Sequence, residues 1–206
     1  VSDVSNAERT ETVYGERTLT EDVFDLHIPF ETRTFLQPNL AMAEILYGDL
    51  LGRAGTHAEG RVLDLYCGIG TIGAAAARKA ERVVGVEKDP NNVKMANEMI
   101  RRNRIETMRI EPVDVADLRD RPDELQNPDL VIVDPPRAGL NKKILKFLYD
   151  IAPRRIAYVS CNPRSLKDNV QRFHRGSPYR VSSMTAYDMF PHTLHVETLC
   201  ILDPVG

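Results

Sequence analysis

Residues 61–73 read RVLDLYCGIGTIG, an apolar run that passes into a glycine-rich turn. The run at residues 62–65 predicts a buried β-strand, and Gly68, Gly70 and Gly73 have the spacing G-x-G-x-x-G. Glycines in such a turn let the backbone approach a nucleotide closely where the next helix begins. The stretch therefore predicts the first strand–turn–helix unit of an α/β sheet.

The same alternation of strands and helices continues along the chain. Further strands are predicted at residues 83–86, 108–113, 130–133 and 156–159, and helices at 74–77, 91–103, 144–151 and 165–173. This order predicts a mostly parallel, doubly wound sheet with helices on both faces. Residues 181–202 contain two strand-like runs and predict an antiparallel pair at the sheet edge. Ahead of the glycine turn, strands are predicted at residues 13–19 and 23–28 and a helix at 40–51.

Composition narrows the class of protein. The chain has 206 residues, of which 42% are hydrophobic, and no apolar run approaches the roughly 20 residues of a membrane-spanning helix. Its three cysteines are far apart, which excludes a disulfide framework and a zinc knuckle and predicts no metal site. We therefore expect a cytoplasmic protein without a signal peptide. Because the chain opens with Val1, we also expect a trimmed piece of a longer protein.

Charge is unevenly distributed along the sequence. Residues 137–180 contain 11 basic and 2 acidic side chains, whereas residues 1–60 contain 4 basic and 11 acidic ones. A local basic block in a mildly acidic protein is a candidate face for a polyanion. A solvated surface explains the charge equally well.

The glycine turn alone does not identify its ligand, since dinucleotides and S-adenosylmethionine both use this geometry. Glu87 ends the second strand, where its carboxylate can accept hydrogen bonds from ribose hydroxyls. Asp64 lies on the strand before the glycines, where it can hold the amine of a methionine portion. Asp64 favours S-adenosylmethionine, and a nicotinamide cofactor remains the alternative.

The fourth and fifth strands of the sheet end in polar residues. Asp134 is followed by two prolines and Arg137, a rigid exit that holds the carboxylate towards the cleft. Cys161 comes just before a helix whose N-cap is Asn162. The positive end of that helix, together with Arg164, predicts a lowered pKa for the Cys161 thiol and hence a nucleophile.

The other two cysteines, Cys67 and Cys200, lack such a setting, and we expect them to be structural. Near the C-terminus, a strand through residues 195–197 would place His195 and Glu197 on one face. Glu197 is then a candidate general base if that face points into the cleft.

Taken together, residues 64–70, 134–137, 160–163 and 188–197 resemble the RNA (uracil-5-)-methyltransferase family. Residues 35–39, FLQPN, also resemble the F-x-Q-x-N segment that precedes its catalytic domain. The resemblance implies a Rossmann-like methyltransferase sheet, S-adenosylmethionine as the cofactor, and an unpaired or flipped uridine of tRNA or rRNA as the substrate.

The resemblance also implies roles for single residues. It makes Cys161 the nucleophile that attacks C6 of uracil and Glu197 the base that removes the proton from C5. Candidate cofactor contacts are Gln37, Asp64, Tyr66, Gly68, Gly70, Thr71, Glu87 and Asp134. Candidate RNA contacts are Arg137, Asn162, Arg164 and His195.

Members of that family usually carry an N-terminal RNA-binding β-barrel and a central β-rich domain. We therefore expect residues 1–36 to be a β-rich remnant of the central domain and residues 37–206 to be the methyltransferase domain. Without the barrel, RNA affinity should be weakened, and the four-cysteine iron–sulfur site of some relatives cannot exist with three cysteines.

Three alternatives remain open from the sequence. The first is methylation of an amino group of adenine or guanine, although those enzymes usually have an aromatic residue where Arg137 stands. The second is a nicotinamide-dependent oxidoreductase. The third is a non-catalytic module that binds RNA or S-adenosylmethionine.

Overall fold

A computed structural model describes residues 11–120, 125 and 127–205, so the first ten residues of the predicted extension lie outside it. Within the described residues, the strands are β1 Leu19–Val23, β2 Leu26–Phe30, β3 Arg61–Leu65, β4 Arg82–Val86, β5 Met108–Glu111, β6 Leu130–Val133, β7 Ile156–Ser160, β8 Tyr179–Tyr187 and β9 Glu197–Pro204. The helices are α1 Leu40–Ala54, α2 Thr71–Ala77, α3 Pro90–Arg102, α4 Lys142–Ile151 and α5 Pro163–Gly176. Short 3-10 turns occupy Gly55–Ala58 and Val115–Asp120.

Seven strands form one sheet in the order β5-β4-β3-β6-β7-β9-β8. The first five strands of that order are mutually parallel, and β9 pairs antiparallel with both β7 and β8. The predicted doubly wound sheet with an antiparallel C-terminal pair is confirmed. Its carboxyl edge, where ligands bind in open α/β sheets, carries the turns after β3, β4, β6 and β7.

Each face of the sheet is covered by its own set of helices. One apolar core joins α1, α2 and α3 to alternate strand residues such as Val62 and Ile132. The other joins α4 and α5 to the intervening residues, such as Leu63 and Val133. Neighbouring residues of a strand point to opposite faces of the sheet. Since helices cover both faces, the residues on each face are buried and the strands are apolar throughout.

The predicted strands at residues 13–19 and 23–28 are wrong in their bounds. The structure has a hairpin, β1–β2, whose turn falls at Phe24 and Asp25, with φ of 53° and 57°. Tertiary contacts hold this turn, because Phe24 N–H donates to Glu44 Oε1 at 2.8 Å and the Arg78 guanidinium donates to Phe24 O at 2.5 Å. Local alternation could not show these contacts.

The hairpin belongs to the core of the main sheet. Val23, Leu26 and Ile28 are buried in the same cluster as α1 and α2. The domain boundary at residue 36 stays a prediction.

The described residues lack two features that would point to a particular class of protein. None of their helices has the length and apolar character needed to cross a bilayer. They also contain no group of three His, Cys, Asp or Glu side chains placed to hold a metal ion.

Candidate active site

The glycine turn after β3 has the backbone that its sequence requires. Tyr66, Gly68 and Gly70 all have positive φ, at 61°, 56° and 82°. The turn is tied to the end of β4 because Gly68 N–H donates to Glu87 Oε2 at 3.0 Å. Only glycine adopts such φ values freely, which explains Gly68 and Gly70, whereas Tyr66 is held there by its surroundings.

Asp64 is a buried carboxylate beneath this turn. It is 1% exposed, and its Oδ2 accepts a hydrogen bond from Gly73 N–H at 2.9 Å. Its Oδ1 is buried without a hydrogen-bond partner. Burial, together with the negative charge of Asp134, raises the pKa of Asp64 to about 8. A donor or cation brought to Oδ1 would complete the hydrogen bonding that the protein leaves open.

Gly73 is needed for the approach of Asp64. A Cβ at this position would lie 2.8 Å from Asp64 Oδ2 and 2.8 Å from Met108 Cε. The third glycine of the motif therefore serves packing and the placement of the carboxylate.

A cavity opens between the glycine turn, α1 and the end of β6. Six of the eight predicted cofactor contacts line it: Gln37, Asp64, Tyr66, Gly68, Thr71 and Asp134. The other two are adjacent, since Gly70 is in the same turn and Glu87 is bonded to Gly68. The structure thus brings the predicted cofactor contacts together.

The FLQPN segment links this cavity to the chain ahead of β9. Gln37 is 6% exposed and lines the cavity. Asn39 caps α1, accepting from Met42 N–H at 3.1 Å, while its side-chain amide donates to Met189 O at 3.2 Å. One asparagine therefore caps α1 and also holds the start of α1 to the chain at Met189, ahead of β9.

The loop after Asp134 is pinned by a buried asparagine of α5. Asn169 Oδ1 accepts from Leu140 N–H and from the Tyr158 hydroxyl, each at 2.8 Å, and its amide donates to Leu140 O at 2.9 Å. Gly139 has φ of 73°, and a Cβ there would lie 2.6 Å from Asn169 Oδ1. The loop that carries Arg137 is therefore held against α5.

Asn162 forms the predicted helix cap and also supports this loop. Its Oδ1 accepts from Arg164 N–H at 3.1 Å, with Pro163 as the first helical residue. Its side-chain amide donates to Arg137 O at 2.9 Å. The cap is confirmed, and the polar atoms of Asn162 are engaged with the protein itself.

Cys161 and Glu197 are brought together by the antiparallel pairing of β7 with β9. The last paired residues are Ser160 and Thr198, which adjoin Cys161 and Glu197 in the sequence, and the charge of Glu197 acts on the Cys161 thiol. Cys161 is half-buried and belongs to neither apolar core.

The predicted lowering of the Cys161 pKa is wrong for this structure. Burial and the negative charges of Glu197 and Asp134 raise the pKa of the thiol, while Arg137 lowers it. The guanidinium that lowers the pKa is that of Arg137 and not the predicted Arg164, and desolvation and two carboxylates outweigh it.

Glu197 has the environment of a general base that works near neutrality. It is 5% exposed, its Oε2 is buried without a hydrogen-bond partner, and burial raises its pKa to about 7. The charge of Asp134 raises the pKa further and that of Arg137 lowers it. A base with a pKa near the working pH combines adequate ionisation with adequate basicity.

This geometry has counterparts among known proteins. The family model described as tRNA (Uracil-5-)-methyltransferase matches residues 10–204. The chain belongs to this family. The match supports the methyltransferase alternative that the glycine turn left open, and it makes the protein a member of a family of RNA-modifying enzymes.

Individual relatives agree with the family assignment. The chain is 36% identical over 98% of its length to an uncharacterised RNA methyltransferase of Clostridium acetobutylicum, and 37% identical over 98% to one of Caldanaerobacter subterraneus. It spans 44% of the length of each. Among solved structures, the tRNA (uracil-54, C5)-methyltransferase of Pyrococcus abyssi in complex with S-adenosyl-L-homocysteine superposes with a TM-score of 0.79. That match is 30% identical and covers 92% of this chain and 45% of that one.

The predicted RNA contacts differ in where the structure places them. Arg137 and Arg164 are exposed beside Cys161. His195 is exposed but precedes β9, so the expected strand placing it on a face with Glu197 is absent from this described segment. Its backbone N–H donates to Thr193 Oγ1 at 3.1 Å, and its ring packs edge-on against Phe190.

Sequence reasoning missed three residues of the site: Tyr47, Asn39 and Asn169. Tyr47 is a buried cavity residue of α1 whose hydroxyl is hydrogen-bonded with Gln37. Burial and the charges of Asp134 and Asp64 raise its pKa well above the usual value. Asn39 was visible as part of FLQPN, whereas Tyr47 and Asn169 occupy ordinary helical positions and give no local signal.

Proposed function

We propose that this chain transfers a methyl group from S-adenosylmethionine to C5 of a uridine in tRNA or rRNA, with Cys161 as the nucleophile and Glu197 as the base. The observation that supports the proposal is the end of the β7–β9 pairing, where Cys161 and the buried Glu197 adjoin the last pair, Ser160 and Thr198, and the charge of Glu197 acts on the thiol. Membership of the tRNA (uracil-5-)-methyltransferase family supports it.

The residues of the cavity fit the proposed cofactor. Asp64 Oδ1 is a buried acceptor without a partner, which suits the ammonium group of the methionine portion. Glu87 already accepts from the backbone N–H groups of Gly68, Lys88 and Asp89, and its Oε2 keeps one further lone pair for a ribose hydroxyl. The Pyrococcus abyssi relative was solved with S-adenosyl-L-homocysteine, the demethylated form of this cofactor.

The chemistry explains why a thiol and a carboxylate are both needed. Uracil C5 is too weak a nucleophile to be methylated directly. Attack of the Cys161 thiolate on C6 forms an S–C6 bond and moves the π electrons towards C5 and O4, giving an enolate. When bound, S-adenosylmethionine supplies the electrophilic methyl group that C5 takes up.

Glu197 then completes the reaction. Its carboxylate accepts the C5 proton, the C5–H electron pair restores the C5–C6 double bond, and the S–C6 bond breaks to release the Cys161 thiolate. Covalent catalysis thereby divides one difficult step into easier ones. Because uracil inside a stacked duplex is inaccessible, the target uridine must be unpaired or flipped out.

The test uses RNA that contains 5-fluorouridine, together with S-adenosylmethionine. Fluorine at C5 cannot be removed as a proton, so the Cys161 adduct should persist as a complex that survives denaturing electrophoresis. Cys161→Ala should abolish this complex, whereas Cys67→Ser should retain it as the matched control. Equal trapping by the Cys161→Ala variant would mean that another group is the nucleophile.

Glu197 is tested with unmodified RNA. Glu197→Gln keeps the shape of the side chain but cannot accept the C5 proton, so the methylated adduct should accumulate and release of RNA should slow. Normal release by this variant would assign proton removal to a different group.

A further inference from the structure

Helix α5 exposes a row of cations that begins beside Cys161. Arg164, Lys167, Arg172 and Arg175 are exposed, and Asp168 is the one acidic side chain of this helix. Leu166, Asn169 and Phe173 are buried on the opposite side of α5. We call the four exposed cations the α5 basic surface.

These four cations differ from those of α3 in their ion pairing. Within the described residues, no carboxylate lies within salt-bridge distance of the α5 basic surface. On α3, by contrast, Lys94 pairs with Glu31 at 2.9 Å, and Arg101 and Arg102 both pair with Glu98 at 2.7 Å. Cations without a carboxylate partner keep their full charge for a polyanion.

The α5 basic surface begins next to Cys161 and runs along the helix away from it. Helix α5 begins two residues after Cys161, and its first cation follows at once. From Arg164 to Arg175 the helix rises about 17 Å at about 1.5 Å per residue. One nucleic acid strand carries a phosphate about every 3.4 Å of helix axis, so this length spans about five phosphates.

Helix α4 extends the same surface. It packs into the same apolar core as α5, and the Tyr149 and Phe173 rings of the two helices meet at 5.6 Å. Lys142 and Lys143 in its first turn are exposed, and no described carboxylate pairs with them. Helix α3 packs on the other face of the sheet.

We propose that the α5 basic surface binds the phosphates of the RNA strand next to the target uridine, so that the substrate lies over the α4–α5 face and not over α3. This inference rests on the proposed function. The inference goes beyond the proposed function by specifying the direction from which RNA reaches Cys161.

The experiment compares two triple variants of this chain that remove the same number of charges. Lys167→Gln/Arg172→Gln/Arg175→Gln neutralises three α5 cations away from the cleft, and Lys94→Gln/Arg101→Gln/Arg102→Gln neutralises the three α3 cations. Binding of a fluorescently labelled unmodified tRNA is measured between 50 and 200 mM salt, and circular dichroism checks that each variant is folded.

The salt dependence reports the number of phosphates contacted. Each phosphate contact contributes a slope of about −0.7 to −0.9 in log K against log salt, so the α5 variant should lose about 2–3 from its slope. The α3 variant should keep the wild-type slope. Equal losses in both variants, an unchanged slope in the α5 variant, or no measurable binding by the wild-type chain at 50 mM salt would each overturn the inference.

Failure of the proposed function gives a different result. The salt measurement requires no methyl transfer, whereas the 5-fluorouridine experiment requires the Cys161 adduct. A wild-type chain that shows the α5-dependent slope but no adduct would refute the chemistry and leave the RNA surface standing.

Discussion

The raised pKa of Asp64 makes binding of a cationic cofactor dependent on pH. With a pKa of about 8, Asp64 is ionised in about one molecule in ten at pH 7 and in about one in a hundred at pH 6. Only the ionised carboxylate attracts an ammonium group at Oδ1. Because apparent affinity scales with the fraction of the binding-competent form, affinity for S-adenosylmethionine should fall about tenfold from pH 7 to pH 6.

The sign of this effect follows from the direction of the proton. The free protein holds a proton on Asp64 that the complex does not, so binding releases the proton and becomes stronger as the pH rises. Asp134, with a pKa of about 6, adds less than about a twofold change over the same interval. Working at pH 6–7 also keeps the cofactor amine, with a pKa of about 8, mostly protonated.

Isothermal titration calorimetry measures both quantities. Titrations at pH 6.0, 6.5 and 7.0 give the affinity, and two buffers with different ionisation enthalpies give the number of protons released, which should be about 0.9 at pH 7. Asp64→Asn should bind weakly with little dependence on pH, and Glu197→Gln should keep the wild-type dependence. A flat profile in the wild type, or an undiminished slope in Asp64→Asn, would refute the role of Asp64.

Three further substitutions test the supports of the site and the turn of the hairpin. Asn169→Ala leaves buried backbone groups without partners, and urea denaturation should show a loss of about 1–3 kcal/mol in the free energy of unfolding. Gly73→Ala inserts a methyl group 2.8 Å from Asp64 Oδ2, which should cost about 1–3 kcal/mol by the same measurement and weaken cofactor binding. Asp25→Gly relieves a left-handed residue with φ of 57° beside Phe24, and should raise the free energy of unfolding by up to about 1 kcal/mol.

Each of these has an outcome that contradicts its reasoning. Wild-type stability of the Asn169→Ala variant would mean that water replaces the lost hydrogen bonds. Unchanged stability and cofactor affinity in Gly73→Ala would show that the turn relaxes around the added carbon. A destabilised Asp25→Gly variant would show that the aspartate side chain contributes more than its backbone strain costs.

The sequence predicts local structure best where one short segment contains all the causes. The α5 cap is such a case, because Asn162 and Pro163 specify the helix start without help from elsewhere. The β1–β2 turn is the opposite case, since Phe24 is held by Glu44 of α1 and Arg78 beyond α2. These tertiary hydrogen bonds form a turn at Phe24, within residues 23–28, where the alternation of polar and apolar residues predicted one continuous strand.

The candidate site shows the same division. The grouping of the candidate cofactor contacts was predictable because most of them sit at strand ends and in one glycine turn, and parallel strands bring their ends to one edge. Tyr47 could not be predicted as a site residue, because an aromatic residue on an amphipathic helix is usually part of the core. Only the packing of α1 over the cavity makes its hydroxyl part of the site.

The error in the Cys161 pKa shows how the two halves of the site depend on each other. Arg137 favours the thiolate, but the charge of Asp134, which also lines the cofactor cavity, opposes it. Positive charge held beside Asp134 would offset that repulsion and lower the pKa of the thiol.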